Sequence, residues 1–203
     1  MAEQVLKTRL HLLRHGQVCG FEARRYNGQA DVALTALGIE QSRAYAEALK
    51  ETSLAAVYSS DLSRSLYGAG LIAADRDLVS IQDLRFRELH IGDWEGLRWE
   101  EIQRRWPGEW QARLADLVHV APPGGESLLQ MAARARQALA ELLERHQGEE
   151  IALVAHGGVN RVILLDAIGA PLTQMFHIEQ SYGCRNIIDY FVDGFTTVQL
   201  LNG

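Results

Sequence analysis

The chain has 203 residues, 47% of them hydrophobic and 23% charged, the balance of an ordinary folded protein and not of a disordered, collagen-like or low-complexity one. Acidic residues outnumber basic ones by 26 to 20, giving a net charge of −6. That charge argues against a nucleic-acid partner, whose binding rests on a basic surface that displaces phosphate counterions. Cys19 and Cys184 lie far apart in no paired motif, so they read as free thiols of a reducing compartment. Met1 to Leu13 carries Glu3, Lys7 and Arg9 and no apolar core, unlike an export leader. No apolar run approaches the ~20 residues that cross a bilayer. The expectation is a cytoplasmic, soluble protein with no membrane partner.

Leu10 to Leu13 is a short apolar run ending at Arg14-His15-Gly16, the pattern of a buried strand entering a glycine turn. Thr35 to Lys50 has helical spacing, with Ile39, Ala46 and Leu49 predicted on the buried face. Leu54 to Tyr58 reads as a second strand. Asp61 is placed to cap a following helix whose stripe is Leu62, Leu66, Ala69 and Ile72. All four tryptophans (Trp94, Trp99, Trp106 and Trp110) fall between Arg85 and Pro123, which interrupts the strand–helix alternation. Ser127 and Gln130 have capping-box spacing before a long helix, to about His146, with Leu128, Ala132, Ala135, Leu139 and Leu142 buried. Ile151 to Ala155 is a third strand, ending at His156-Gly157-Gly158, and a helix is predicted from about Val159 to Ile168. Asn186 to Val192 and Phe195 to Leu201 flank Asp193-Gly194, a strong hairpin signal.

Strands alternating with helices predict an α/β three-layer sandwich: a mostly parallel central sheet, helices on both faces, and a C-terminal antiparallel hairpin at the edge. We expect one domain over residues 1–203, with an insertion at about 85–123 near the active site. Ligands of such sheets bind beyond the carboxyl ends of the strands. Two predicted strands end in His-Gly, at His15-Gly16 and His156-Gly157, and Arg64 opens the helix after another. Taken singly, an Arg-His-Gly or a His-Gly-Gly is an ordinary turn, and Arg64 an ordinary surface arginine. Together they bring two imidazoles, Arg14, Arg64 and the N–H groups of a helix start to one edge, a site for a tetrahedral oxyanion such as phosphate.

These segments resemble the histidine phosphatase superfamily in its phosphoglycerate-mutase-like branch. The match covers Leu13-Arg14-His15-Gly16-Gln17, then Tyr26 to Asp31 with Leu34 to Gly38, then Ser59 to Arg64. It continues through Arg87-Glu88 to Gly96, Pro123 to Ser127 and Ala155 to Arg161, in the family's order. The resemblance implies that His15 is a nucleophile that becomes phosphohistidine. It implies that Arg14, Arg64, His156 and the Gly157 N–H hold the phosphoryl oxygens, and that Glu88 is the proton donor, with Glu95 and Asp93 as rivals. It implies a small-molecule phosphate ester as partner and no cofactor or metal. Phe21 stands where the family often has a phosphate-binding asparagine, leaving Gln17 or Asn27 to take its place. Gly68 stands where a threonine is usual.

Three other activities are weighed against phosphatase. A metal site built from His15, His156 and Glu88 is disfavoured by the repulsion of Arg14 and Arg64. A mutase is typically longer in the segment after the acid. A non-enzymatic scaffold would be expected to have lost one of the five core groups. The tryptophans read either as packing within the insertion or as a stacking platform for an aromatic leaving group. His11, spaced by two from Leu13, reads as a core histidine.

Overall fold

A computed structural model describes residues 6–23, 25–74 and 76–203; Glu3, one of the charges that argued against a leader, lies outside them. Six strands form one sheet: β1 (Lys7–Arg14), β2 (Leu54–Ser59), β3 (Ile81–Gln82), β4 (Glu150–Ala155), β5 (Arg185–Phe191) and β6 (Thr196–Leu200), in the spatial order β3-β2-β4-β1-β5-β6. Strands β1, β2, β3 and β4 run parallel, and the β5–β6 hairpin adds antiparallel to β1. No helix among the described residues is long and apolar enough to cross a membrane.

The pleat of β4 explains the three layers. Ile151, Leu153 and Ala155 face one side, where they pack with residues of α5 (Leu128–Arg145) and α6 (Gly157–Ala167). Ala152 and Val154 face the other and pack with Tyr45 and Leu49 at α1 (Ala36–Ala48) and with Ala69 and Ile72 of α2 (Ser63–Ala74). A run that is apolar at every position is therefore needed, because both faces are covered. The α5 capping box forms as predicted, Ser127 Oγ accepting from the Gln130 N–H and the Gln130 side chain accepting from the Ser127 N–H.

Three readings need correction. The buried face of α1 runs through Gly38, Ser42 and Tyr45 to Leu49, with Ile39 and Ala46 only partly buried. The predicted stripe is thus turned by about one residue, because the small residues Gly38 and Ser42 share the buried face with Tyr45 and Leu49. Asp61 does not cap α2: its carboxylate is engaged by Arg87, and Asp31 instead accepts the Ser63 N–H at 2.9 Å and hydroxyl at 2.7 Å. The tryptophan segment contains two helices, α3 (Trp99–Arg105) and α4 (Pro107–Ala115), which were read only as an insertion. His11 is a buried core residue as predicted, bonded through Nε2 to Glu150 at 2.9 Å.

Candidate active site

Parallel pairing places the two His-Gly turns side by side. Arg14, the last residue of β1, pairs with Ala155, the last of β4, and the His15 N–H bonds the Ala155 carbonyl at 3.1 Å. The His15 and His156 rings then stand 5.1 Å apart between centroids. Strand β2 flanks β4 on the other side, so Ser60 and Arg64 reach the same edge.

His15 Nδ1 lies 2.8 Å from the Gly16 carbonyl, which can only accept, so Nδ1 carries the proton and Nε2 keeps a lone pair. Burial, then the positive charges of Arg14 and Arg64, hold the His15 pKa well below the ordinary histidine value. His156 is fully buried, and its Nε2 lies 2.7 Å from Ser60 Oγ. With the hydroxyl donating, His156 Nδ1 bears the proton, and this buried atom has no partner. The His156 pKa is also held well down, by burial and then by His15, Arg64 and Arg14.

The arginines are fixed by backbone carbonyls. Arg64, 1% exposed, donates to the Ala30 carbonyl at 2.6 Å and the Gly28 carbonyl at 2.7 Å. Arg14 donates from Nη1 to the Gln180 carbonyl and lies 3.9 Å from the centre of the Tyr182 ring. Its buried Nε has no partner. Gly157 lies against this guanidinium, a Cβ there meeting Arg14 Cζ in ordinary contact at 3.4 Å and Arg161 Nη1 more tightly at 3.2 Å. As the first residue of α6, Gly157 has no acceptor within the helix for its N–H, which suits it to an anion.

Glu88 extends toward the same helix start. Its Oε2 accepts from the Gly158 N–H at 2.9 Å and its Oε1 from the Leu89 N–H at 2.8 Å. A Cβ at position 158 would lie 2.3 Å from Glu88 Oε1, so the second glycine of His-Gly-Gly makes space for the acid. Arg134 of α5 holds the segment, donating to the carbonyls of Arg85 at 2.7 Å, Arg87 at 2.6 Å and Glu88 at 3.0 Å.

A cavity of about 520 Å³ opens over these groups, and Arg14, His15, Arg64, Glu88 and Asn27 line it. Gln17 does not: its amide oxygen accepts the Thr35 hydroxyl at 2.9 Å. The rivals of Glu88 are also elsewhere, Glu95 accepting the Gln29 N–H at 3.0 Å and Asp93 lying exposed beside Gly124. Phe21 is not in the lining, and position 68 has no space for a threonine because a Cβ would overlap the Tyr45 hydroxyl at 1.6 Å. Trp94 is fully buried with Ile91 and Ile102, whereas Trp99 and Trp110 line the cavity. The packing reading thus holds for Trp94, while Trp99 and Trp110 stand at the cavity wall. Sequence reasoning assigned no role to Arg161, Arg113 or Tyr182, which also line the cavity, or to Arg134. Arg161 stood inside the His156 motif, one helical turn beyond Gly157, and that spacing was the available signal.

An imidazole nitrogen with a free lone pair, next to buried donors without acceptors and two guanidiniums, can attack phosphorus and hold the oxygens of the transferred group. The lowered histidine pKa values carry a pH prediction. Histidine-selective 15N NMR at pH 6 should find both rings neutral, and a His15 or His156 signal titrating near 6.5 would contradict this geometry. Below that pH the unfolded chain binds protons that the folded chain refuses. Stability should therefore fall from pH 6.5 to 5.5, by up to ~1.4 kcal/mol per pH unit for each histidine.

The histidine phosphatase superfamily (branch 1) model matches residues 10–203. The chain belongs to this superfamily. It is similar to the metal-independent phosphoserine phosphatase of Arabidopsis thaliana, with 37% identity over 163 residues, 78% of this chain and 68% of that protein. It is 31% identical over 194 residues to the adenosylcobalamin/alpha-ribazole phosphatase of Escherichia coli (strain K12), covering 96% of this chain and 95% of the relative. The crystal structure of the alpha-ribazole phosphatase from Shigella flexneri superposes with a TM-score of 0.89 at 31% identity, covering 96% of each chain. This histidine phosphatase is thus an enzyme of phosphate-ester hydrolysis, in a superfamily whose members carry names for diverse substrates.

Proposed function

We propose that this histidine phosphatase hydrolyses a metabolite phosphomonoester without a metal, through phosphohistidine at His15, and that its ester is α-ribazole 5′-phosphate. His15 Nε2 attacks phosphorus as the ester P–O bond breaks, and Glu88 in its acid form gives a proton to the departing alkoxide. The carboxylate left behind is received by the Gly158 and Leu89 N–H groups. It then takes a proton from water as that water attacks phosphorus, the P–N bond breaks and phosphate leaves. The observation that carries this reading is the pair of buried nitrogens without acceptors, Arg14 Nε and His156 Nδ1, beside the neutral His15 ring. The phosphoryl oxygens would supply those acceptors.

The α-ribazole assignment is supported by the Gly92 to Gly96 and Pro123 to Ser127 segments, which resemble those of ribazole phosphatases. It is also supported by the aromatic wall of Tyr26, Trp99 and Trp110, with ring centroids 6.0 Å and 6.3 Å apart in succession. The rings are tilted 39° and 46° to one another, so a flat heteroaromatic leaving group would stack on one of them with the others at its edge. The test is a kinetic panel. The kcat/KM for α-ribazole 5′-phosphate should exceed that for phosphoserine and 3-phosphoglycerate, should survive exhaustive chelation and should be suppressed by vanadate. The reverse ranking would overturn the substrate. Loss of activity on chelation, restored by a divalent ion, would overturn the metal-free chemistry.

A further inference from the structure

The loop from Ile178 to Cys184 shapes one wall of the site without supplying any of the groups assigned to the chemistry. The Gln180 carbonyl accepts from Arg14 Nη1, and the Tyr182 ring lies against the same guanidinium. The Ile178 carbonyl accepts from Arg161 Nε at 2.7 Å. Two cavity arginines are thus aimed by backbone and ring atoms of one loop, so their direction is only as definite as the loop itself.

The loop is tied to the site by backbone bonds, the Gly183 N–H donating to the His15 carbonyl at 3.1 Å and the Arg14 N–H to the Cys184 carbonyl at 3.0 Å, and from within by a buried amide pair. Gln180 Nε2 donates to Asn186 Oδ1 at 2.9 Å, and Asn186 Nδ2 donates to Gln180 Oε1 at 2.9 Å. Both residues are fully buried. Asn186 Nδ2 also donates to the Leu12 carbonyl at 3.1 Å, two residues before Arg14 on β1. Asn160 Nδ2, on α6 one turn beyond His156, donates to Gln180 Oε1 at 3.3 Å. The far side is closed by Asn202, whose N–H donates to Asn186 Oδ1 at 2.9 Å and whose Oδ1 accepts the Ser181 N–H at 2.6 Å. Asn202 has a φ of 54°, in the left-handed region that asparagine tolerates better than most side chains.

Buried polar side chains cost stability unless their bonds are made, and here each amide of the Gln180–Asn186 pair is bonded at both ends while Asn160 Oδ1 has no partner. A network that joins β1, α6, β5 and the loop around one carbonyl is suited to orientation. We infer that the Gln180–Asn186 amide pair is a positioning unit for the reaction, holding the Gln180 carbonyl and Tyr182 where they aim Arg14 at the phosphoryl group. This rests on the proposed role of Arg14 in binding the transferred phosphoryl group.

The test is a double-mutant cycle on p-nitrophenyl phosphate with Asn186→Leu and Arg14→Met, with rates normalised to the folded fraction measured by circular dichroism so that unfolded protein does not count. Asn186→Leu should lower kcat/KM by roughly tenfold and weaken vanadate inhibition by a similar factor, while in the Arg14→Met background it should change the rate less than about twofold. A purely structural role predicts the same loss in both backgrounds, and that result would overturn the inference. So would an unchanged rate in Asn186→Leu. Gln180→Met removes the same pair while keeping the backbone carbonyl, and it should reproduce the coupling if Asn186→Leu does not fold. If Arg14→Met alone leaves turnover intact, the reading of Arg14 fails, a result distinct from failure of the amide pair.

Discussion

His15→Ala should lower kcat/KM for any phosphomonoester by about 10⁴-fold or more, because among the described residues lining the cavity only His15 presents an imidazole nitrogen with a free lone pair. His156 does not replace it: its Nε2 is tied to Ser60, and its Nδ1 carries the proton that should bind a phosphoryl oxygen. The loss corresponds to at least ~5 kcal/mol of transition-state stabilisation, at ~1.4 kcal/mol for each tenfold step. The fold should survive. The His15 side chain makes one hydrogen bond, to the next residue's carbonyl, and although only 4% exposed it borders the cavity and not the close-packed core. Its removal also takes a desolvated imidazole away from Arg14 and Arg64. Circular dichroism should therefore show a melting temperature within a few degrees of the parent. Retained turnover in a correctly folded variant would remove His15 from the mechanism.

Glu88→Gln should separate substrates by leaving group. An alkyl alkoxide needs a proton as it departs, whereas p-nitrophenolate leaves without one, so the two esters differ in their demand for the acid. A glutamine side chain has a single oxygen and can accept from either the Gly158 or the Leu89 N–H, not both. The resulting disturbance is common to both substrates and cancels in their ratio. The burst rate for an alkyl phosphate should fall on the order of 10²-fold more than that for p-nitrophenyl phosphate, the usual scale of general acid catalysis. The burst must be measured because in the proposed mechanism Glu88 is also the base toward water, and slower dephosphorylation would lower steady-state rates for both. Equal losses in the burst would exclude Glu88 as the acid. Glu95 and Asp93 would not be ready replacements, since neither lines the cavity.

Much of this arrangement could be read from residues in order. Ile151 to Ala155 is apolar at every position, and Leu10 to Leu13 at all but His11, because both sheet faces are covered, and the Ser127–Gln130 capping box and the Asp193-Gly194 turn are local signals. Arg14, His15, Arg64 and His156 were legible because each follows or ends a strand on one edge. Where prediction failed, the cause was a distant partner or a small residue. Asp61 looked like a helix cap until Arg87, 26 residues away, claimed its carboxylate. Gly38 and Ser42 carry the buried face of α1, and neither contributes to an apolar stripe. Strand β3 is two exposed residues, too short for any period. Helix α4 did carry a local signal, Pro107 in its first turn, that the density of tryptophans obscured. Arg134 is held by carbonyls remote in the chain, and Gln180 carries the carbonyl that Arg14 meets from 166 residues away, pairings that no spacing encodes.

The covalent intermediate tests the central claim most directly. Enzyme turning over p-nitrophenyl phosphate, quenched in base within milliseconds and digested, should yield a base-stable, acid-labile phosphoryl group on the peptide containing His15, and none when His15 is alanine. A phosphoryl group mapped to His156, or none on any histidine under quench conditions that capture the burst of p-nitrophenolate, would contradict the account.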